Sequence, residues 1–301
     1  MIGKAVILAA GSASRMQENV ERYVSNREEL SAVKKGEKMA VNFSNFPFLD
    51  FQILNLIHSG LKDINIVLRP DDTFFTGHYN KNGKTLFPEV SISYSFQKIP
   101  DGTAHAVLAA EKFVYGERFI VLNGDNNYSV GLIQKLLNSK EKYSSMVAFD
   151  TKGFSKATGE KLKSFAVLRT HNGKLKEIVE KAQNPEKFIN CDLLYATDTE
   201  RVRIDNRILT NMNLWCFAPD FMDACRDVKR HGPRKEGKSG EFELPDAVKL
   251  LMQRGGEIIV YYACEDVLDL TNAEDIEIVE ESINKNLIDK ILDLKKRYTR
   301  L

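Results

Sequence analysis

The chain is poor in the residues that staple or span. It carries four cysteines in 301 residues, at positions 191, 216, 225 and 264, with no C-x-x-C pair and no His/Cys cluster. That excludes a disulfide framework and a zinc site and points to a reduced, cytoplasmic protein. No apolar run approaches the roughly 18 to 20 residues needed to cross a bilayer. The run Ala5 to Ala10 is too short for the apolar region of a secretory signal and reads as a buried strand. Charge of one sign is also lacking: 43 Lys+Arg offset 42 Asp+Glu, a net +1. No long-range field marks a nucleic-acid or membrane partner. Neither the GK[ST] ending of a Walker A loop nor a G-x-G-x-x-G fingerprint follows the first strand, which excludes a dinucleotide dehydrogenase.

What is present alternates. Continuous apolar runs at 5–8 and 119–122 suit strands buried on both faces, and 64–68, with Asn65 inside it, reads as another strand. Residues 90–96 alternate strictly, as a less buried strand does. Helices are expected around Leu49 to Ile57 and over 103–113. Beyond residue 150, strands are expected at 164–169, 175–180, 209–217 and 257–262, with helices at 244–253 and 273–301. The polar stretch 183–205 reads as a flap or a hairpin. The fold class is therefore α/β: an open, mixed, mostly parallel sheet with helices on both faces. A single domain, 1–301, is expected, its first half ending near 150 and its second half returning to complete the same sheet. Ligands of such sheets collect at the carboxyl ends of strands, near a topological switch.

The most informative stretch follows the first strand: Leu8, Ala9, Ala10, Gly11, Ser12, Ala13, Ser14, Arg15, Met16. Small residues let backbone N–H groups approach a ligand closely, and an arginine just beyond can reach phosphate oxygens. A plain strand-to-helix turn with one surface arginine is the alternative reading. This loop resembles the signature L-A-A-G-x-G-x-R of the sugar-1-phosphate nucleotidyltransferases, with Ala13 at the second glycine. Six more stretches are similar to that family, in its order. Glu37-Lys38 and Phe46 to Asp50 resemble its P-K-x-L and P-L-L-D runs, Glu37 standing at the proline. The gap between Arg15 and Lys38 is 23 residues, so an insertion is expected near 17–33. Gln97 to Ala106 resembles the base-reading segment, and Asn123-Gly124-Asp125 the G-D element. Glu180-Lys181 resembles E-K-P, Asn211 to Trp215 the n-x-G-i-y strand with Asn213 at the glycine, and Asp269 to Asp275 the closing D-x-x-x-P-x-D turn.

The resemblance implies nucleotidyl transfer from an NTP to a sugar 1-phosphate. Arg15, Lys38, Asp125 and Lys181 would be the catalytic residues. Leu8 to Ala13, Gln97, Gly102 and Thr103 would bind the nucleotide, and Glu180, Lys181 and Asn213 the acceptor. Asp125 and Asp269 would hold Mg²⁺, which prefers one or two carboxylates plus phosphates and water. No Lys or Arg is close to Asp125 in sequence, so its carboxylate is expected to be unpaired without ligand. Gln97 and Gly102 suit a pyrimidine, so UTP, dTTP or CTP is expected before ATP or GTP. Trp215 and Phe217 are expected in the core, and Asp275 as a structural acid. The acceptor-side departures leave phosphocholine or a polyol phosphate open as acceptor. A non-catalytic nucleotide-binding module of the same fold is the other reading, and a homo-oligomer is compatible with either.

Overall fold

The computed structural model describes residues 2–139, 143–154, 162–230 and 240–300. Its strands, in chain order, are β1 (Lys4–Leu8), β2 (Asn42–Phe43), β3 (Phe46–Pro47), β4 (Asp63–Leu68), β5 (Ser91–Phe96), β6 (Phe119–Asn123), β7 (Asn126–Asn127) and β8 (Ser144–Asp150). They continue with β9 (Ala166–His171), β10 (Lys174–Val179), β11 (Ile189–Tyr195), β12 (Arg201–Phe217), β13 (Ile258–Ala263) and β14 (Leu268–Asp269). Ten of them form one mixed sheet, in the order β11-β13-β10-β9-β12-β6-β1-β4-β5, with β8 pairing β12 and β13. Strands from both halves of the chain thus share one sheet.

The β6-β1-β4-β5 region is parallel. Its residues alternate between two cores: Ala5, Ile7, Ile64, Ile66, Ile120 and Leu122 pack on one face, Val6, Val67, Phe119 and Val121 on the other. The Val, Ile, Leu and Phe side chains among them each contribute about 1.5–3 kcal/mol when fully buried; the one polar residue inside these runs, Asn65, is also buried and donates to Ser93 Oγ at 3.0 Å. β5, at the sheet edge, is only half-buried, as its alternating sequence predicts. From β1 the chain steps outward to β4 and β5, then returns to place β6 on β1's other side. The carboxyl ends of β1 and β6 therefore flank the topological switch.

The expected helix over 103–113 is two, Thr103–Ala109 and Glu111–Val114, interrupted at Ala110. The stretch 183–205 supplies a hairpin strand, β11, on a β12 that begins at Arg201 rather than 209. The segment after Arg15, where an insertion is expected, contains the helix Arg27–Lys34, capped by Asn26 Oδ1, which accepts from the N–H groups of Glu28 and Glu29 at 3.0 Å. Gln17 Nε2 donates to Ser12 O at 3.0 Å and Lys34 O at 3.1 Å, tying this segment to the glycine loop. The C-terminal helices Asp275–Asn286 and Ile288–Tyr298 return to the first half. There Tyr298 donates to the buried Asp50 at 2.6 Å. Among the described residues, no helix is long and apolar enough to cross a membrane.

Candidate active site

The glycine loop leaves β1 with Ala9 N bonded to Val67 O at 2.9 Å. Ala13 then takes φ +53°, the left-handed region, at the head of the helix Ser14–Gln17. An alanine pays about 1–2 kcal/mol for that conformation. The backbone shape that glycine would supply is therefore kept by a residue that disfavours it.

A cavity of about 370 Å³ opens over this loop. Every residue expected on the nucleotide side, from Leu8 to Ala13 with Gln97, Gly102 and Thr103, lines it, as do Arg15, Lys38 and Asp125. Lys38 Nζ forms an ion pair with Asp125 Oδ2, both side chains being largely buried. This corrects the expectation of an unpaired Asp125: the counter-charge arrives from 87 residues away in sequence. Gly124 N donates to Leu8 O at 2.9 Å, so Asp125 stands directly beside the glycine loop. Arg15 is exposed and has no ion-pair partner among the described residues.

At the other end of the cavity, Gly102 and Thr103 also serve the protein's own packing. Gly102 has φ +100°, and a Cβ on it would lie 2.4 Å from Phe242 O. Its lack of a side chain is thus required by the protein's own backbone. Thr103 starts its helix, but its hydroxyl serves another one: it accepts from Leu244 N at 2.8 Å and donates to Glu243 Oε2 at 3.0 Å. Gln97 is buried, and its amide nitrogen donates to Gly102 O at 2.9 Å.

A second cavity, of about 680 Å³, holds Glu180, Lys181, Asn213 and Asp269 in its wall. Arg15, Asn123, Asp125 and Thr271 line both cavities, so the two meet at the cationic and acidic groups. Lys181 is exposed, with φ +50°. Asn213 also lies in the left-handed region, at φ +56°, which asparagine tolerates better than most residues. Its Oδ1 accepts from Asn211 Nδ2 at 2.8 Å, and its N–H donates to Asn211 Oδ1 at 2.9 Å. Trp215 and Phe217 are fully buried.

Asp269 reaches the site through β14, which pairs with β7 so that Asp269 faces Asn126; Leu270 N donates to Asp125 O at 2.8 Å. Burial, Asp125 and Asp269 all push the Tyr128 phenol well above its ordinary value, burial most. Both carboxylates therefore converge on one neighbourhood. Thr271 Oγ1 donates to Asp269 Oδ1 at 2.7 Å. Asp275 accepts from the N–H groups of Thr271 and Asn272 at 3.0 and 2.7 Å, a structural use as expected. Two carboxylates, Asp125 at the seam of the two cavities and Asp269 in the wall of the larger, fit a hard divalent cation that keeps several waters. Among the described residues, no group of three or more acidic, His or Cys side chains forms a metal cluster.

Sequence reasoning did not single out Asn123, Asn126, Asn211, Thr271, Glu241 or Glu243, all of which line these cavities. Signals existed for several. Asn123 belongs to the N-G-D element, Asn211 lies two residues before Asn213, and Glu243 opens a recognised helix.

The family described as nucleotidyl transferase matches residues 4–263. A putative UTP–glucose-1-phosphate uridylyltransferase of Methanocaldococcus jannaschii is 25% identical over 290 residues, covering 88% of this chain and 87% of that one. The bifunctional protein GlmU of Staphylococcus epidermidis is 24% identical over 92% of this chain, which spans about half (51%) of that protein's length. Among solved structures, a UDP-glucose pyrophosphorylase complexed with UDP-glucose superposes with a TM-score of 0.67 at 18% identity, over 95% of this chain and 99% of that one. A putative glucose-1-phosphate thymidylyltransferase from Bacillus anthracis gives 0.64 at 17% identity, over 92% and 94%. These two share its fold.

Proposed function

Because the chain belongs to the nucleotidyl transferase family, we propose that it transfers a nucleotidyl group from an NTP to a sugar 1-phosphate, releasing pyrophosphate. The observation that carries this reading is the meeting of the two cavities at Arg15 and Asp125. A reaction joining two anions needs two adjoining sites with cations at the seam, and catalysis is then positioning plus charge neutralisation.

In this reading the triphosphate lies over the glycine loop, whose backbone N–H groups and Ser12 face it. Arg15 and Lys38 offset its charge, and Gln97 meets a pyrimidine edge. The acceptor occupies the larger cavity, its phosphate drawn by Lys181 and its hydroxyls met by Glu180 and Asn213. An acceptor phosphate oxygen attacks the α-phosphorus in line, the bond to the bridging β-phosphate oxygen breaks, and pyrophosphate carries the electron pair away. No covalent enzyme intermediate is required. Asp125 and Asp269 would hold Mg²⁺, which supplies further neutralisation of phosphate charge when bound.

The test is a pyrophosphate-release screen of NTPs against sugar 1-phosphates, with phosphocholine and polyol phosphates as competing acceptors. Release that needs both an NTP and one sugar 1-phosphate is expected. Release with a non-sugar acceptor alone would replace the acceptor class. No release with any pair, alongside intact NTP binding, would leave only the non-catalytic module.

A further inference from the structure

Glu37 precedes Lys38, yet its carboxyl does not face the cavity. It is 4% exposed and turns to the connection between β4 and the helix Phe74–Leu86. There Glu37 Oε1 accepts from Thr73 N at 3.2 Å, and the carboxyl hydrogen-bonds to that of Asp72. Asp72 is 8% exposed, and its Oδ1 accepts from Phe75 N and Thr76 N at 3.1 and 3.2 Å, capping that helix. Two carboxyl groups can share a hydrogen bond only if one of them carries a proton.

The surroundings pull both ways. Lys35 beside Glu37 and Arg69 beside Asp72 favour the charged forms. Arg69 is also engaged by Asp71 at 3.2 and 3.3 Å. Tyr94 of β5 faces Asp72, its phenol pushed up to about 12 by burial and then by that carboxylate. Burial is the largest influence on both acids and raises each above its ordinary value, with mutual repulsion adding to the rise at Glu37. Glu37, the residue before Lys38, is thus held by the connection through Thr73 N.

We propose that Glu37 and Asp72 form a proton-held clasp that positions Lys38 for the nucleotide, closed while the pair shares a proton and released when both ionise. The clasp rests on the reading that Lys38 meets the NTP. Glu37 and Asp72 are positioning residues, since neither lines the cavity. The sign follows from linkage. An acid raised in the folded state contributes ordering that is fully present below its ordinary value and lost as pH rises through the raised one. The two acids titrate as a pair, not singly.

The experiment titrates UTP with Mg²⁺ by calorimetry, from mildly acidic to mildly basic pH, on the wild type, Glu37→Gln and Asp72→Asn. Either amide supplies a donor that cannot be lost. Comparing variant with wild type at each pH removes the nucleotide's own titration. The affinity ratio of each variant to wild type is expected to rise about tenfold as pH rises, on the scale of one charge-assisted contact. A ratio that stays constant across pH would overturn the clasp. UTP binding absent at every pH, with CTP, dTTP, ATP and GTP also failing to bind, would overturn the nucleotide reading and the clasp with it. Carboxyl-carbon NMR separates the two failures: coupled titration of Glu37 and Asp72 is expected whatever the nucleotide does, and two independent, ordinary titrations would sink the clasp alone.

Discussion

Lys38 and Asp125 form an ion pair in the wall of the smaller cavity, joining the segment that follows the helix Arg27–Lys34 to the end of β6. Each is the other's counter-charge in the unliganded protein. An incoming triphosphate must therefore compete with Asp125 for Lys38. Asp125→Asn is expected to lower activity by about two decades, the scale of losing one electrostatic contact in such chemistry. It should also cost about 1–3 kcal/mol of stability, because Lys38 is left largely buried without its partner. Lys38→Met combined with Asp125→Asn should recover part of that loss, by about 1 kcal/mol or more. Denaturant melts of the single and double variants test the pair. Additive losses would show that the two charges do not interact in solution.

Gly102→Ala is expected to damage the fold first and the nucleotide site second. The added carbon would meet the Phe242 backbone, and φ +100° is strained for alanine in any case. Unfolding free energy should fall by more than about 2 kcal/mol, since backbone can yield little. A normal melting temperature with weakened NTP binding would instead make Gly102 a ligand contact and nothing more.

Ala13 tests the glycine loop in the opposite direction. Ala13→Gly relieves left-handed strain but adds unfolded-state entropy, so stability should change by under about 1 kcal/mol. Ala13→Val should lose about 1–2 kcal/mol or more, because a β-branched residue resists positive φ. NTP affinity should follow the same order. Equal affinity for all three would mean that the loop's conformation does not matter to the phosphates.

These relationships show what was legible in the sequence. The strands at 5–8 and 119–122 announce themselves because burial on both faces demands unbroken apolar runs, while 64–68 buries one polar residue, Asn65, which donates to Ser93 Oγ at 3.0 Å. The loop after β1 announces itself because a close approach to backbone N–H groups demands small residues, and it lines the smaller cavity. β8 was not legible: it follows a polar, lysine-containing stretch and carries two serines, yet all seven of its residues are buried. Nor was the helix Phe74–Leu86, whose two glycines and polar residues imitate a loop, while Phe75, Tyr79 and Leu86 pack its inner face. Pairings between distant residues were hidden for a simpler reason. Lys38 finds Asp125 and Thr103 finds Leu244 only through the sheet's topology, and no local pattern encodes a partner 87 or 141 residues away.

Chelation separates binding from chemistry. Arg15, Lys38 and the loop's N–H groups need no metal to meet a triphosphate, so NTP affinity should remain measurable in EDTA. Product should not form, since the cation that Asp125 and Asp269 would hold, and its share of the neutralisation of phosphate charge, is gone. Equilibrium binding and pyrophosphate release are measured on the same chelated sample. Undiminished turnover after thorough chelation would remove the metal from the reaction.

Lys181 carries the sharpest division between the two cavities, because it lines only the larger one. Lys181→Ala should raise the acceptor KM by about one to two decades, the worth of one charge-assisted contact of roughly 1.5–3 kcal/mol. The NTP KM should barely move. The position also has φ +50°, so a substitution there acts on the backbone as well as on the charge. Lys181→Gly separates the two effects: it relieves the left-handed strain that Lys181→Ala keeps, and it removes the same ammonium group. If the charge is what the acceptor meets, both variants lose acceptor affinity equally, although the glycine variant is at least as stable as the alanine one. If backbone shape dominates, the two differ in acceptor KM. A change confined to the NTP KM in either variant would show that Lys181 serves the wrong substrate for the proposed reaction, and the assignment of the larger cavity to the acceptor would fall.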